Sequence, residues 1–297
     1  MTPGKKLQNL LRKGPVIMPG AYDALSAHLI KKTGFKAGYI TGAGLSVSLL
    51  GKPDIGLLSL EDILPVVRHV TGVVDLPFLV DVDTGFGGVA NVARVVQEME
   101  AAGAAGVQIE DQEFPKRCGH LTGKRVVAIE DMVAKVRSAV AARKDKNFVI
   151  VARTDARGVT GLADALCRAR AYKKAGADII FPEALESIGE FRIFGREKAL
   201  GVLLANMTEF GRSPALTVQE LAKLGFRLML TPMTAFRVAA YAMEQALRQL
   251  HSKGSTRSSL SRMQTRQELY SLIQYAEFDR KEKKIVDESK RIIKRNK

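Results

Sequence analysis

The chain has 297 residues, 46% of them apolar, with only two cysteines, no tryptophan and a formal net charge of +15. This composition excludes a disulfide-stapled secreted module and a disordered chain, and it leaves enough apolar residue for one large core. Much of the charge sits at one end, where residues 253–297 hold 13 Lys and Arg against 6 Asp and Glu.

The first residues, MTPGKKLQNLLRKG, contain no apolar run of signal-peptide length, and no stretch approaches the ~20 apolar residues of a membrane span. A reducing, cytoplasmic setting and no membrane partner are therefore expected. Eight short β-type runs then follow in order: PVIMPG (15–20), AGYITG (37–42), LPFLVDVDTG (76–85), AGVQIEDQ (105–112), FVIVARTD (148–155), DIIFPEA (178–184), GVLLANMTE (201–209) and FRLMLTPM (226–233). Between them lie helical patterns such as LEDILPVVRHV, VANVARVVQEMEAAG and AIEDMVAKVRSAVAARK. Cys167, in LADALCRARAY, is expected as a small buried helix residue.

The runs are almost continuously apolar, as in a parallel sheet covered on both faces. Eight β/α alternations in about 250 residues predict a (β/α)8 barrel of the TIM type, an α/β fold. A doubly wound open sheet is the alternative, but TGAGLS (41–46) only loosely approximates its glycine-rich phosphate turn. The flexible-looking SKGSTRSSLSRM (252–263) separates a catalytic barrel over 1–251 from a helical extension over 252–297. The extension, KEKKIVDESKRIIKRNK included, mixes both charges with Ile and Val at helical spacing. It reads as a solvated helix, and no aromatic residues interleave with the basic ones, so no nucleic-acid partner is expected.

In such a barrel the C-terminal ends of the strands form the active site. Polar residues gather there: Tyr39 and Thr41 after the second strand, Asp81 and Asp83 after the third, and Glu110 and Asp111 after the fourth. Arg153, Thr154 and Asp155 follow the fifth, Glu183 the sixth, Asn206, Thr208 and Glu209 the seventh, and Arg237 the eighth. Asp81 and Asp83 are two apart, which on a strand puts both carboxylates on one face, where they repel unless a cation intervenes. Asp83 could instead cap the following helix. With hard oxygen donors and no Cys/His quartet, the cation expected is Mg²⁺, with Mn²⁺ as substitute. Arg153, Arg237 and Arg266 are candidates for bidentate binding of carboxylates.

Cys118 lies in EFPKRCGHLTGK (113–124), after the fourth strand, among Lys116, Arg117, His120 and Lys124. Such cations are expected to depress the pKa of a thiol. Both nucleophile and proton donor are open as roles. The glycines around it, Gly87, Gly88, Gly119 and Gly123, would let these loops close over a site.

PKRCGH, with DVDTGFGG before it and FPEA, ANMTEFG and MQTRQELY after it, resembles the isocitrate lyase/phosphoenolpyruvate mutase superfamily from about Pro19 to about Tyr275. The resemblance implies Mg²⁺-dependent retro-aldol cleavage of 2-methylisocitrate to pyruvate and succinate, in propionate catabolism, with dimethylmalate or isocitrate as alternative substrates. It places Thr41, Gly42 and Ala43 in the substrate-binding turn and Asp81 and Asp83 at the metal, with Asp54, Glu110 and Glu183 around them. Cys118 falls on a mobile loop with Lys116, Gly119 and His120. Arg153, Glu183, Asn206, Met207, Thr208, Arg237 and Arg266 fall among the substrate contacts. Cys118 would be the proton donor, and Tyr39 one choice of base beside a carboxylate or a metal-held water. The resemblance also implies a homotetramer whose C-terminal helices are exchanged between subunits. Isocitrate lyases tend to carry bulky aromatics where this chain has Phe181 and Leu230.

Overall fold

In the computed structural model, which describes residues 1–295, eight parallel strands close into a barrel in chain order. They are β1 (Val16–Ala21), β2 (Gly38–Ile40), β3 (Phe78–Asp81), β4 (Gly106–Glu110), β5 (Val149–Thr154), β6 (Ile179–Pro182), β7 (Val202–Asn206) and β8 (Leu228–Thr231). Closure is made by β1 on β8, with Val16 opposite Leu228 and Pro19 opposite Thr231. Seven strands fall inside one of the apolar runs of the sequence and β1 overruns its own by one residue, to Ala21, so the (β/α)8 reading holds and the open sheet does not.

The helices are α1 (Pro3–Lys13), α2 (Ala24–Lys32), α3 (Gly42–Leu45), α4 (Leu60–Val73), α5 (Val89–Ala101) and α6 (Ile129–Ala142). After them come α7 (Leu162–Lys174), α8 (Ile188–Arg196), α9 (Val218–Lys223), α10 (Thr234–Lys253), α11 (Arg266–Leu272) and α12 (Tyr275–Arg295). Their starts follow local chemistry: in α4 the Ser59 hydroxyl accepts from the Asp62 N–H while the Asp62 carboxylate accepts from the Ser59 N–H.

The apolar residues sort into two layers. Outward side chains such as Ile40, Val80, Val107 and Ile150 pack against Ile63, Val67, Val95 and Val136 of the surrounding helices. Inward ones, among them Met18, Leu79, Val151, Ile179 and Leu204, fill the barrel. Leu7 and Leu11 of α1 join that inner cluster, so α1 plugs the N-terminal mouth and leaves the C-terminal mouth for the site. Cys167 corrects the sequence expectation, because it is exposed. The buried face of α7 is Ala165, Arg168, Ala169 and Tyr172, at i, i+3, i+4 and i+7, and Cys167 falls outside that stripe.

The chain divides into two compact units, Met1–Val238 and Ala239–Lys297. Within the second, Tyr270 stacks on Tyr275 with centroids 5.0 Å apart. α10 buries none of its residues, and Tyr241, Met243, Leu247, Phe278 and Ile285 are exposed. Among the described residues, no helix is long and apolar enough to cross a membrane.

Candidate active site

A cavity of about 250 Å³ opens among the loops that follow the strands of the first unit. Tyr39, Thr41 and Ala43 line one side, Asp54 and Asp81 the next, and Cys118, Gly119 and His120 cover part of the opening. Arg153, Phe181, Glu183, Asn206, Thr208, Leu230 and Arg237 complete the wall. Segments from residue 39 to residue 237 are thus brought to one place by the closure of the barrel.

The acidic side is built differently from the strand alternation read in the sequence. β3 ends at Asp81, and the backbone turns at Asp83, whose φ is +48°. The Asp83 N–H then donates to Asp81 Oδ1 at 3.2 Å, so a turn, not a shared strand face, brings the two carboxylates together. Asp83 caps no helix, since α5 begins after Gly88. The Lys116 ammonium lies between Asp54 and Asp83, pairing with the Asp54 carboxylate and standing 2.8 Å from Asp83 Oδ1. Burial pushes Asp81 up, pushes Asp83 up to about 6 and pushes Glu110 well up, with Lys116 opposing each shift and Arg153 also opposing those of Asp81 and Glu110. Burial would lower Lys116, but Asp83, Glu110, Asp54 and Asp81 outweigh it and raise it well above an ordinary lysine.

A hard divalent cation fits this cluster by its donors. Both oxygens of Glu110 are buried with no well-formed hydrogen bond, as is Asp83 Oδ1 apart from its ion pair with Lys116, which is costly for carboxylates. Among the described residues no three His, Cys, Asp or Glu side chains form a cage. Mg²⁺ needs none, because it is held by one or two carboxylates and keeps its waters.

Arg153 joins the acidic side to the opposite wall. Its Nε donates to Asp155 Oδ2 at 2.9 Å, and its terminal nitrogens lie 3.3 Å from Glu110 Oε2 and 3.7 Å from Glu183 Oε1. Its guanidinium carbon is 5.3 Å from the Phe181 ring centroid. Asp155 is itself anchored by its N–H to Asp111 Oδ1 at 2.8 Å, and Asp111 also accepts from Thr154 and Tyr172. Burial would raise Asp155, yet Arg153 and Lys124 hold it at about 2. Burial would likewise raise Glu183, and Arg153 and His120 bring it below the ordinary range.

Cys118 corrects a second expectation. Burial, ahead of every other cause, pushes its thiol up, opposed by the His120 backbone and Arg153. Of the cations seen in the sequence, Lys116 and Lys124 pair with carboxylates and Arg117 faces solvent. Gly119 is required by space: a Cβ there would fall 2.3 Å from an Arg153 nitrogen and 2.4 Å from Glu183 Oε1. His120 Nε2 lies 3.2 Å from Glu183 Oε1.

Some sequence candidates stand off the cavity wall. Gly42 packs behind Asp81, where a Cβ would come within 3.0 Å of Oδ2. Lys116 and Asp83 lie in the acidic cluster beside the cavity, and Met207 packs against the apolar core. Arg266 is the first residue of α11 in the second unit. The structure adds others. The Tyr39 hydroxyl donates to Gln108 Oε1 at 2.6 Å; a lone Gln inside an apolar strand was the available signal. Phe210 is 98% exposed, with the Arg237 guanidinium carbon 5.6 Å from its ring centroid.

The family model described as phosphoenolpyruvate phosphomutase matches residues 7–251. A protein of Aeropyrum pernix named 2-methylisocitrate lyase is 44% identical over 295 residues, covering 99% of this chain and 94% of its own. Among solved structures, a 2,3-dimethylmalate lyase of the PEP mutase/isocitrate lyase superfamily is 34% identical with a TM-score of 0.89, covering 94% of each chain. A phosphonopyruvate hydrolase in complex with oxalate and Mg²⁺ is 30% identical with a TM-score of 0.84, covering 94% of this chain and 97% of its own.

Proposed function

The chain belongs to the phosphoenolpyruvate mutase/isocitrate lyase superfamily, and from that premise we propose that it is a carbon–carbon lyase cleaving 2-methylisocitrate to pyruvate and succinate. The observation that carries the reading is the placement of Cys118 on the same cavity as Asp81, Arg153 and Arg237. One thiol faces a site that joins an acidic cluster to two guanidinium groups. Relatives named 2-methylisocitrate lyase, 44% identical over nearly the whole chain, support the substrate. Phe181 and Leu230 form the apolar part of the wall, where a substrate methyl would rest.

Arg153 and Arg237 bind substrate carboxylates, with Asn206 and Thr208 supplying neutral hydrogen bonds and Thr41, Gly42 and Ala43 a backbone turn. Met207 backs that wall, and Arg266 is assigned to the substrate by the resemblance alone. Asp81 and Asp83 hold Mg²⁺, or Mn²⁺ in its place, with Asp54, Glu110 and Glu183 around them. When bound, the cation polarises the substrate hydroxyl and the ketone that forms from it. Burial and Asp81 hold the Tyr39 phenol well above its ordinary range while Arg153 opposes them. The phenol therefore carries its proton as it stands, and it serves as base only where a cation held at Asp81 offsets that carboxylate; a carboxylate of the acidic cluster is the other choice.

The bond between the hydroxyl-bearing carbon and its neighbour then breaks. The electron pair stays on the succinate fragment, where Arg153 on the cavity wall stabilises the developing charge and Lys116 holds the acidic cluster beside it. Cys118 gives that carbon its proton. The raised pKa suits this role, because the thiol carries a proton to give at neutral pH. Gly119 admits the loop beside Arg153, and His120 with Glu183 fixes its height. The exposed apolar residues of the second unit support a homotetramer with exchanged C-terminal helices. The same reading takes a barrel over 1–251, an extension over 252–297 and a cytoplasmic location. Pyruvate release from 2-methylisocitrate by the purified protein with Mg²⁺ tests the function. No pyruvate across Mg²⁺ and Mn²⁺ concentrations would reject it.

A further inference from the structure

The peptide from Cys118 to His120 is gripped from two sides by residues that have no place in the chemistry above. On the inner side is Lys124, the last residue of CGHLTGK, whose side chain is 3% exposed. Its ammonium donates to the Gly119 carbonyl oxygen and, at 2.7 Å, to Asp155 Oδ1. A turn with the Leu121 N–H on the Cys118 carbonyl, at 2.9 Å, folds the loop back toward it. On the outer side is Arg212, on the loop after β7. Its main-chain N–H donates to His120 Nδ1 at 3.0 Å and its Nε to the His120 carbonyl at 3.1 Å. The same guanidinium lies 3.3 Å from Glu186 Oε1, which is also 2.7 Å from an Arg157 nitrogen.

We propose that Lys124 and Arg212 are positioning residues that hold the Cys118–His120 peptide against the cavity, Lys124 through the Gly119 carbonyl and Arg212 through His120. Neither side chain lines the cavity. A buried ammonium costs free energy unless it is paired, and this one is paired to the loop on one side and to the anchor of Arg153 on the other. The peptide must be held closely, because Gly119 has no room for even a Cβ beside Arg153 and Glu183. Arg212 has a second effect. Because its N–H donates to Nδ1, the neutral His120 ring carries its proton on Nε2, the atom facing Glu183. A misplacement of about 1 Å at such a point costs about 100-fold in rate without removing any reacting group.

The inference rests on the lyase reading only for the consequence in turnover; the placement of the thiol is measurable without substrate. The test is iodoacetamide labelling of each cysteine in the full-length protein, read by mass spectrometry, with exposed Cys167 as internal reference. In Lys124→Met and Arg212→Ala, Cys118 labels about tenfold faster or more while Cys167 is unchanged, as expected for a partly buried thiol released from its ties. In turnover, kcat falls about 10- to 100-fold while KM stays within about threefold, a split that general loss of stability would not produce. Both Arg212 variants keep the main-chain donor to His120 Nδ1, and Arg212→Lys, which also keeps a cationic side-chain donor, recovers part of both. Arg212 lies on an exposed loop, so Arg212→Ala keeps the proposal testable if Lys124→Met fails to fold, and Lys124→Gln then takes its place. Wild-type labelling of Cys118 in a folded variant of either residue overturns its assignment. An inactive wild-type protein would refute the lyase reading and leave the labelling result standing.

Discussion

Asp155→Asn removes the carboxylate that lies between Arg153 and Lys124. In the folded chain these two cations hold Asp155 at about 2, against an ordinary 3.8, despite full burial. At 1.36 kcal/mol per pKa unit, that difference corresponds to about 2.5 kcal/mol of stability at neutral pH. A depressed carboxyl contributes fully above its unfolded value and loses the contribution as pH falls toward the folded one. The contribution is therefore intact at pH 7, about half gone by pH 3 and nearly absent below about 2. Urea unfolding of wild type and Asp155→Asn, followed by circular dichroism, should give a gap of about 2–4 kcal/mol at pH 7, because the variant also leaves two buried cations short of a partner. The gap should narrow on acidification. Equal stability at pH 7, or a gap that widens toward pH 3, would refute the argument that this carboxylate is the anchor of Arg153 and Lys124.

Cys118→Ser should fold and bind Mg²⁺ as wild type does, while kcat for cleavage falls about 100- to 10,000-fold, the range for loss of a proton donor; retention of most of kcat in single-turnover assays would remove Cys118 from that role. Asp83 titrates at about 6 in the absence of metal, so Mg²⁺ affinity measured calorimetrically should rise about tenfold per pH unit up to about pH 6 and level off above it. A flat profile from pH 5 to 7 would count against Asp83 as a ligand. Asp83→Asn should weaken Mg²⁺ binding and lower the melting temperature, since the buried Lys116 ammonium loses one of its two carboxylate partners. The exposed apolar residues of the second unit predict that full-length protein sediments as a tetramer, and that Tyr241→Asp with Leu247→Asp shifts it toward smaller species.

The barrel was legible because its strands are apolar runs with both faces covered and its helices repeat at 3.6 residues; both periods survive in a single sequence. The site was legible as a set, because carboxylates and arginines close most of the strands. What the sequence misassigned was local and physical. Asp81 and Asp83 were placed together by strand alternation, whereas a left-handed turn at Asp83 does it. Cys118 was read by its neighbours in sequence, yet their charge is spent on Asp54, Asp83 and Asp155, and burial decides the thiol. The Ala-rich surroundings of Cys167 suggest burial, yet it falls between Ala165 and Arg168, outside the buried stripe. The contact of Arg212 with His120 spans 92 residues, and that of Tyr39 with Gln108 spans 69. Neither leaves a local pattern, because only closure of the barrel creates it.

The account rests most directly on substrate choice. Pyruvate release should be measured for 2-methylisocitrate, isocitrate, 2,3-dimethylmalate and oxaloacetate, with the same enzyme and Mg²⁺. The account predicts the highest kcat/KM for 2-methylisocitrate, with loss of the methyl worth about 10- to 200-fold at an apolar wall. Preference for 2,3-dimethylmalate or oxaloacetate over 2-methylisocitrate would contradict it.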